Sequence, residues 1–160
     1  MKKTKFLIVL CFVSGCIIGG FLIWRLADKA ICEQSKSLNR AKSYYELLNQ
    51  WVKLKIEGKK LEKYFVDNSY KTIAIYGYAE LGHRLYDELK DSKETKIKYI
   101  IDQNKDNLYE NIDIYKPEDI LPQVDVIVIT PIFAYAEIER NLIERIDYKI
   151  VSLSDVIAEM

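Results

Sequence analysis

Residues 72–82 read TIAIYGYAELG, and no other stretch restricts the fold as much. Five β-favouring residues, Thr72 to Tyr76, run directly into Gly77. Apolar residues then recur at helical spacing, at Leu81, Leu85 and Leu89, which predicts a helix over Glu80–Leu89. A strand, a sharp glycine turn and a helix therefore follow one another with no linker. The same rhythm continues downstream. Ile97–Ile101 reads as a second strand, Ile112–Tyr115 as a weaker third, and Tyr148–Leu153 as a last one. Val124–Ile129 is an unbroken apolar run, as a strand covered on both faces requires. Ala134–Ile146 reads as a helix with Ile138, Leu142 and Ile146 inward. Pro117-Glu118-Asp119 predicts a short helical turn, and Ser154 a cap for a final helix. Strands alternating with helices imply right-handed crossovers and an α/β fold. The prediction is a doubly wound parallel sheet of about five strands in the order 3-2-1-4-5.

The front of the chain is different. Phe6 to Trp24, FLIVLCFVSGCIIGGFLIW, contains no charge. A membrane-spanning helix needs roughly 20 such residues. A cleaved signal peptide would end its apolar run earlier, at a small-residue cut site. Val13-Ser14-Gly15-Cys16 resembles the lipobox of bacterial lipoproteins, but IIGGFLIW follows where a polar tether belongs. The reading is an uncleaved single-pass anchor. Residues 1–5 then form a basic N-terminus, 6–24 the anchor, 25–66 a basic helical juxtamembrane segment and 67–160 the α/β domain. In the juxtamembrane segment Leu38, Ala41, Tyr44, Tyr45, Leu48, Trp51 and Val52 share a helical stripe, broken near Gly58 and resumed at Leu61, Tyr64 and Phe65. This stripe must be buried against the domain, a second copy of the chain or the membrane surface.

Zero net charge hides an asymmetry. Through Phe65 there are 13 Lys/Arg against 5 Asp/Glu, leaving 11 against 19 behind it. Basic residues beside an anchor favour anionic lipid and the cytoplasmic side. Lys2, Lys3 and Lys5 precede the span, while Arg25, Lys29, Lys36, Arg40 and Lys42 follow it, so the balance points to a cytoplasmic C-terminal part. The acidic back half argues against nucleic acid. Cys11, Cys16 and Cys32 all lie in or near the anchor, so the domain has neither a disulfide framework nor a zinc cluster.

The chemistry-bearing candidates cluster where the strand order reverses. In a G-x-G-x-x-G turn the first glycine makes the bend, the second lets backbone approach a pyrophosphate, and the third lets helix pack on strand. Gly77 and Gly82 fill the first and third positions, and Ala79 puts a methyl in the second. Gly77, Tyr78, Ala79, Glu80, Leu81 and Gly82 would offer amide N–H groups to a diphosphate at a helix N-terminus. Asp102 ends the second strand, twenty residues after Gly82. It either accepts from a ribose hydroxyl pair, favouring NAD over NADP, or starts the next turn. Lys105 is near enough in sequence to soften that preference. Thr130, leaving the fourth strand, could donate to a ligand, and Phe133 could pack on a ring. His83, the only histidine, sits in the helix's first turn and reads as a surface residue. Tyr86 and Lys90 have the Y-x-x-x-K spacing of short-chain dehydrogenases but lie on the wrong helix for that role.

The pieces YYELLNQWVKLKIEGKKLEKYF, KTIAIYGYAELGHRLYDEL, IKYIIDQNKD, VDVIVITPIF and KIVSLSDVI resemble a family of small Rossmann-like proteins and domains associated with bacterial surface-polysaccharide biosynthesis. That family usually has glycine where Ala79 stands. The resemblance implies a cytoplasmic, envelope-linked, NAD(P)-binding-like domain and carries over no catalytic residue. YGYAELG with IIDQN is also similar to the N-terminal domain of bacterial sugar acyltransferases, which implies a nucleotide sugar as an alternative ligand. A polysaccharide-assembly protein or a second copy of the chain is the implied partner. Two other functions stay open: an epimerase- or dehydrogenase-like enzyme acting on a nucleotide sugar, and a structural adaptor with an empty fold.

Overall fold

The computed structural model describes residues 2–105 and 112–160, with side chains from Trp24 onward except Leu26 and Ala30. It divides into two compact units, Met1–Tyr45 and Glu46–Met160. Helix α1 covers Lys2–Ile56. The anchor predicted at Phe6–Trp24 falls, but for Trp24, outside the residues whose side chains are described. Among the described residues no helix is long and apolar enough to cross a membrane.

The second unit takes in residues 46–66, which the sequence assigned to the juxtamembrane segment. α1 ends as its glycine predicts. Gly58 has φ +72°, and the N–H groups of Gly58 and Lys59 donate to the carbonyls of Lys55 and Leu54. Those two bonds form a Schellman stop. Helix α2, Glu62–Asp67, follows. Leu47, Trp51 and Leu54 of α1 are buried together with Leu61, Tyr64 and Phe65. Each such side chain contributes roughly 1.5–3 kcal/mol on full burial. The predicted stripe is therefore split. Its Trp51 side is buried, whereas Leu38, Tyr45 and Val52 are exposed. The buried face runs at 47, 51 and 54, with Leu47 and Leu54 in place of Leu48 and Val52.

Glu88 locks this helical piece down. Its carboxylate accepts from Trp51 Nε1 at 2.7 Å and from the Leu61 N–H at 2.8 Å, and pairs with Lys55 Nζ at 2.6 Å. The carboxylate side chain is only 6% exposed. Three donors satisfy a buried charge that would otherwise be costly.

The sheet is all parallel and has five strands: β1 Thr72–Tyr76, β2 Lys96–Ile101, β3 Asp113–Tyr115, β4 Val126–Ile129 and β5 Lys149–Ser152. Their order is β3-β2-β1-β4-β5, as the alternation predicts. Helix α3, Glu80–Leu89, follows β1, and α4, Tyr135–Ile143, follows β4 through a 3₁₀ turn at Ile132–Ala134. Helix α5, Leu153–Ala158, closes the chain. All four residues of β4 are buried, as a central strand demands. Tyr99, fully inside, donates its hydroxyl to the Pro122 carbonyl at 2.7 Å.

Two local expectations are corrected. The cap of α5 is Ser152, whose Oγ accepts from the Ser154 N–H, because β5 stops one residue sooner than its apolar pattern suggests. Pro117–Asp119 is a turn rather than a helical turn. Asp119 accepts the Lys116 N–H with its own side chain at 2.8 Å, which closes the chain locally.

Candidate functional site

β1 and β4 are neighbours, and their connections leave in opposite directions across the sheet. Their carboxyl ends thus form the switch point where ligands enter such folds. Gly77 makes the bend after β1. Its φ is +88°, a region that costs other L-residues roughly 1–2 kcal/mol. A Cβ on Gly77 would lie 2.7 Å from Pro131 Cδ, so the connection after β4 rests against the turn. Gly82 meets a stricter demand. A Cβ there would sit 2.1 Å from the Gly77 carbonyl oxygen. The first turn of α3 is pressed directly onto the glycine bend, and only a residue without a side chain fits.

The turn is tied internally. The Gly77 N–H donates to the Ile101 carbonyl at 2.8 Å. Asp102, just past β2, accepts the Tyr78 N–H on Oδ2 at 2.7 Å and the Asn104 N–H on Oδ1 at 2.8 Å. One carboxylate thus braces the glycine turn and starts the following loop. Among the described residues each of its oxygens accepts one hydrogen bond, while a carboxylate has about four lone-pair sites. Thr130 is 3% exposed, and its hydroxyl donates to the Gly77 carbonyl at 2.8 Å, with the Tyr76 carbonyl at 3.2 Å. The Thr130 N–H donates to the Tyr76 carbonyl at 3.0 Å.

A cavity of about 360 Å³ opens at this corner. Tyr76, Gly77 and Asp102 contribute from one side, and Pro131, Glu137 and Asn141 from the other. Its lining is mixed polar and apolar, with two carboxylates and, among the described residues, no Lys or Arg. Burial, and then the Asp102 and Glu118 charges, push the Tyr76 phenol above its ordinary pKa, so it faces the cavity neutral. A larger cavity of about 490 Å³ lies at the other end of β2, at Thr95, Lys96 and Lys98. Ligands in open parallel sheets enter at the carboxyl ends, which favours the smaller cavity as the site.

Of the eight residues singled out in the sequence, Gly77 and Asp102 line this cavity. Tyr78 is 3% exposed, and its ring packs against His83 at 3.9 Å and edge-on against Tyr86 at 5.9 Å between centroids. Ala79 is extended, with φ −87°, and no side chain caps α3 there. Glu80 pairs with Arg84 on the exposed face of α3, and Leu81 and Gly82 are buried under it. Thr130 lies beneath the turn. Phe133 is 44% exposed and does not line the cavity. Lys105 sits 3.6 Å from Asp119 and over the Tyr115 ring at 5.5 Å, and it does not line the cavity.

No protein-family model, no curated protein and no solved structure matches this chain.

The sequence reading missed the walls supplied by Gln103, Asn104, Glu137 and Asn141. A signal for two of them was present. Glu137 and Asn141 are four apart and flank the inward position Ile138, so all three share one side of α4. Among the described residues no group of His, Cys, Asp and Glu could hold a metal ion.

Proposed function

We propose that this chain is a membrane-anchored nucleotide-binding module that serves surface-polysaccharide assembly as an accessory or regulatory component. Residues 6–24 are its anchor, and its second unit faces the cytoplasm. The observation that carries the ligand part is the place of Asp102 in the wall of a cavity at the switch point. At about 360 Å³ that cavity is at the small end of ligand pockets. It accepts the nucleoside part of a ligand rather than a whole dinucleotide. Asp102 keeps lone pairs for a ribose hydroxyl pair while still holding Tyr78. Two carboxylates in a lining with no Lys or Arg among the described residues favour hydroxyl groups over phosphate, and NAD over NADP. A diphosphate then lies outside the cavity, at the uncapped start of α3, and a nucleotide sugar meets the same requirements as NAD.

The internal bonding of the turn favours a second reading. The Tyr78 N–H is held by Asp102, and the Thr130 hydroxyl by the Gly77 carbonyl, without a ligand. A fold complete in this way also suits an adaptor that binds a protein partner and holds no nucleotide.

Titration calorimetry on the full chain in detergent separates the two. NAD, NADP, a UDP-sugar and coenzyme A are each added to the wild type and to Asp102→Asn. Saturable heat with NAD or the UDP-sugar, weaker with NADP and lost in Asp102→Asn, supports the nucleotide reading. Silence from all four leaves the adaptor.

A further inference from the structure

Trp24, Ile31, Leu38 and Tyr45 of α1 are 63–69% exposed, and each is seven residues from the next. Every described residue from Trp24 to Lys42 is exposed. A helix of this kind gains most of its stability from packing, so an apolar stripe this exposed to solvent is one that a second helix would cover.

The spacing identifies the kind of partner. A straight helix drifts by about 20° per seven residues, and a strict seven-residue repeat stays in line only when two helices supercoil. A helix lying on a membrane surface presents a broad apolar face instead. Here the stripe is one narrow seam. Ala27, Gln34 and Ala41 fill its alternate positions with small or polar residues. Of the seven charged residues, Arg25, Lys29, Glu33, Lys36 and Arg40 fall on the outer positions of the repeat, and Asp28 and Lys42 on the flanking ones.

We propose that residues 24–45 form a parallel, in-register coiled coil with a second copy of this chain. Charges at the positions flanking a seam choose between partners. Those positions here are Asp28, Ala30, Ser35, Ser37, Lys42 and Tyr44, so no block of one charge selects a different chain. In register, Ser37 of one copy faces Lys42 of the other and Ala30 faces Ser35, and no like charges meet. Ahead of the seam, Gly15 and Gly19 have the four-residue spacing by which membrane helices pair. The pairing itself is independent of any nucleotide. Its parallel sense rests on the anchor reading of residues 6–24.

The test uses the full chain in detergent with Cys11, Cys16 and Cys32 replaced by alanine. Single cysteines are placed on the seam (Ile31→Cys, Leu38→Cys) and opposite it (Lys29→Cys, Lys36→Cys). Mild oxidation should give disulfide-linked dimers at both seam positions roughly tenfold faster than at the outer ones, whose Cα atoms are too far apart to bridge. An antiparallel pair links at no more than one of the two seam sites. Equal rates at all four positions, or failure at either seam site, overturns the proposal. Light scattering gives a second measure: Leu38→Glu should reduce the mass from two chains to one, and an unchanged mass overturns the proposal. Resistance to carbonate extraction tests the anchor separately, so its loss is not mistaken for loss of pairing.

Discussion

Asp102 has two tasks, and substituting it separates them. Asp102→Ala removes the acceptor for the Tyr78 N–H, which donates at 2.7 Å, and for the Asn104 N–H, which donates at 2.8 Å. Hydrogen bonds to a charged acceptor contribute about 1.5–3 kcal/mol each, and a buried donor left unpaired costs its desolvation as well. Asn104 is exposed and regains water, so its share is small. Tyr78 is 3% exposed, and its N–H carries most of the loss. The sum is about 2–3 kcal/mol. At roughly 4 °C per kcal/mol for a unit of this size, the melting point should fall by about 10 °C. Asp102→Asn keeps one carbonyl oxygen for Tyr78 and should lose only about 1 kcal/mol. Trp51 fluorescence in a Trp24→Phe background follows the second unit during heating. If Asp102→Ala melts within about 2 °C of the wild type, the carboxylate does not hold the turn. If Asp102→Asn keeps its fold but loses about tenfold in nucleotide affinity, the ribose task is real and distinct from the structural one.

Gly82→Ala forces α3 off a carbonyl oxygen 2.1 Å away and should cost about 3 kcal/mol or more; a melting point equal to the wild type's would contradict the clash. Glu88→Ala strands the Trp51 indole N–H, the Leu61 N–H and the Lys55 ammonium, and should lower the urea midpoint by an amount worth about 3 kcal/mol. Ala79→Gly should raise stability by at most about 0.5 kcal/mol, since glycine is the better helix cap, and should raise nucleotide affinity; unchanged affinity in the calorimeter would acquit the methyl. Bonds from the Thr72 N–H and hydroxyl, and then from the Lys71 N–H, hold the Asp125 carboxyl below its ordinary value. Its contribution is therefore fully present above about pH 4 and is lost as pH falls through the depressed value, so wild type and Asp125→Asn should differ at pH 7 and converge in acid.

The sheet was legible because periodicity and punctuation agreed. β1 and α3 begin and end where the residues predict, since Gly77 interrupts the chain between them. The strand order followed from alternation alone. What the sequence hid was how polar groups would pair. Asp102 offered a ribose contact or a turn, and nothing in the linear order says that it bonds Tyr78, twenty-four residues away, as well as Asn104. Ser152 and Ser154 compete for one cap, and the strand's true end decides between them. The α1 stripe misled for a different reason. Apolar residues on adjacent faces of one helix merge into a single stripe on paper, while only the face with Leu47, Trp51 and Leu54 meets the core.

The glycine turn ultimately separates into two kinds of requirement. Gly77 is fixed by a left-handed backbone and by Pro131, and Gly82 by the carbonyl it touches, and both demands exist without any ligand. The middle position has no such constraint. Ala79 is extended, a conformation open to every residue, so nothing in the fold asks for glycine there. Glycine at that position would give a slightly better helix cap and, beyond that, room for a phosphate. The first and third glycines therefore carry no information about nucleotide binding, however suggestive their spacing. On the proposed function that information lies in the two cavity carboxylates, Asp102 and Glu137, which suit the hydroxyl-bearing part of a ligand better than its phosphate. If this chain holds a nucleotide, it grips the sugar first and leaves the diphosphate loosely placed.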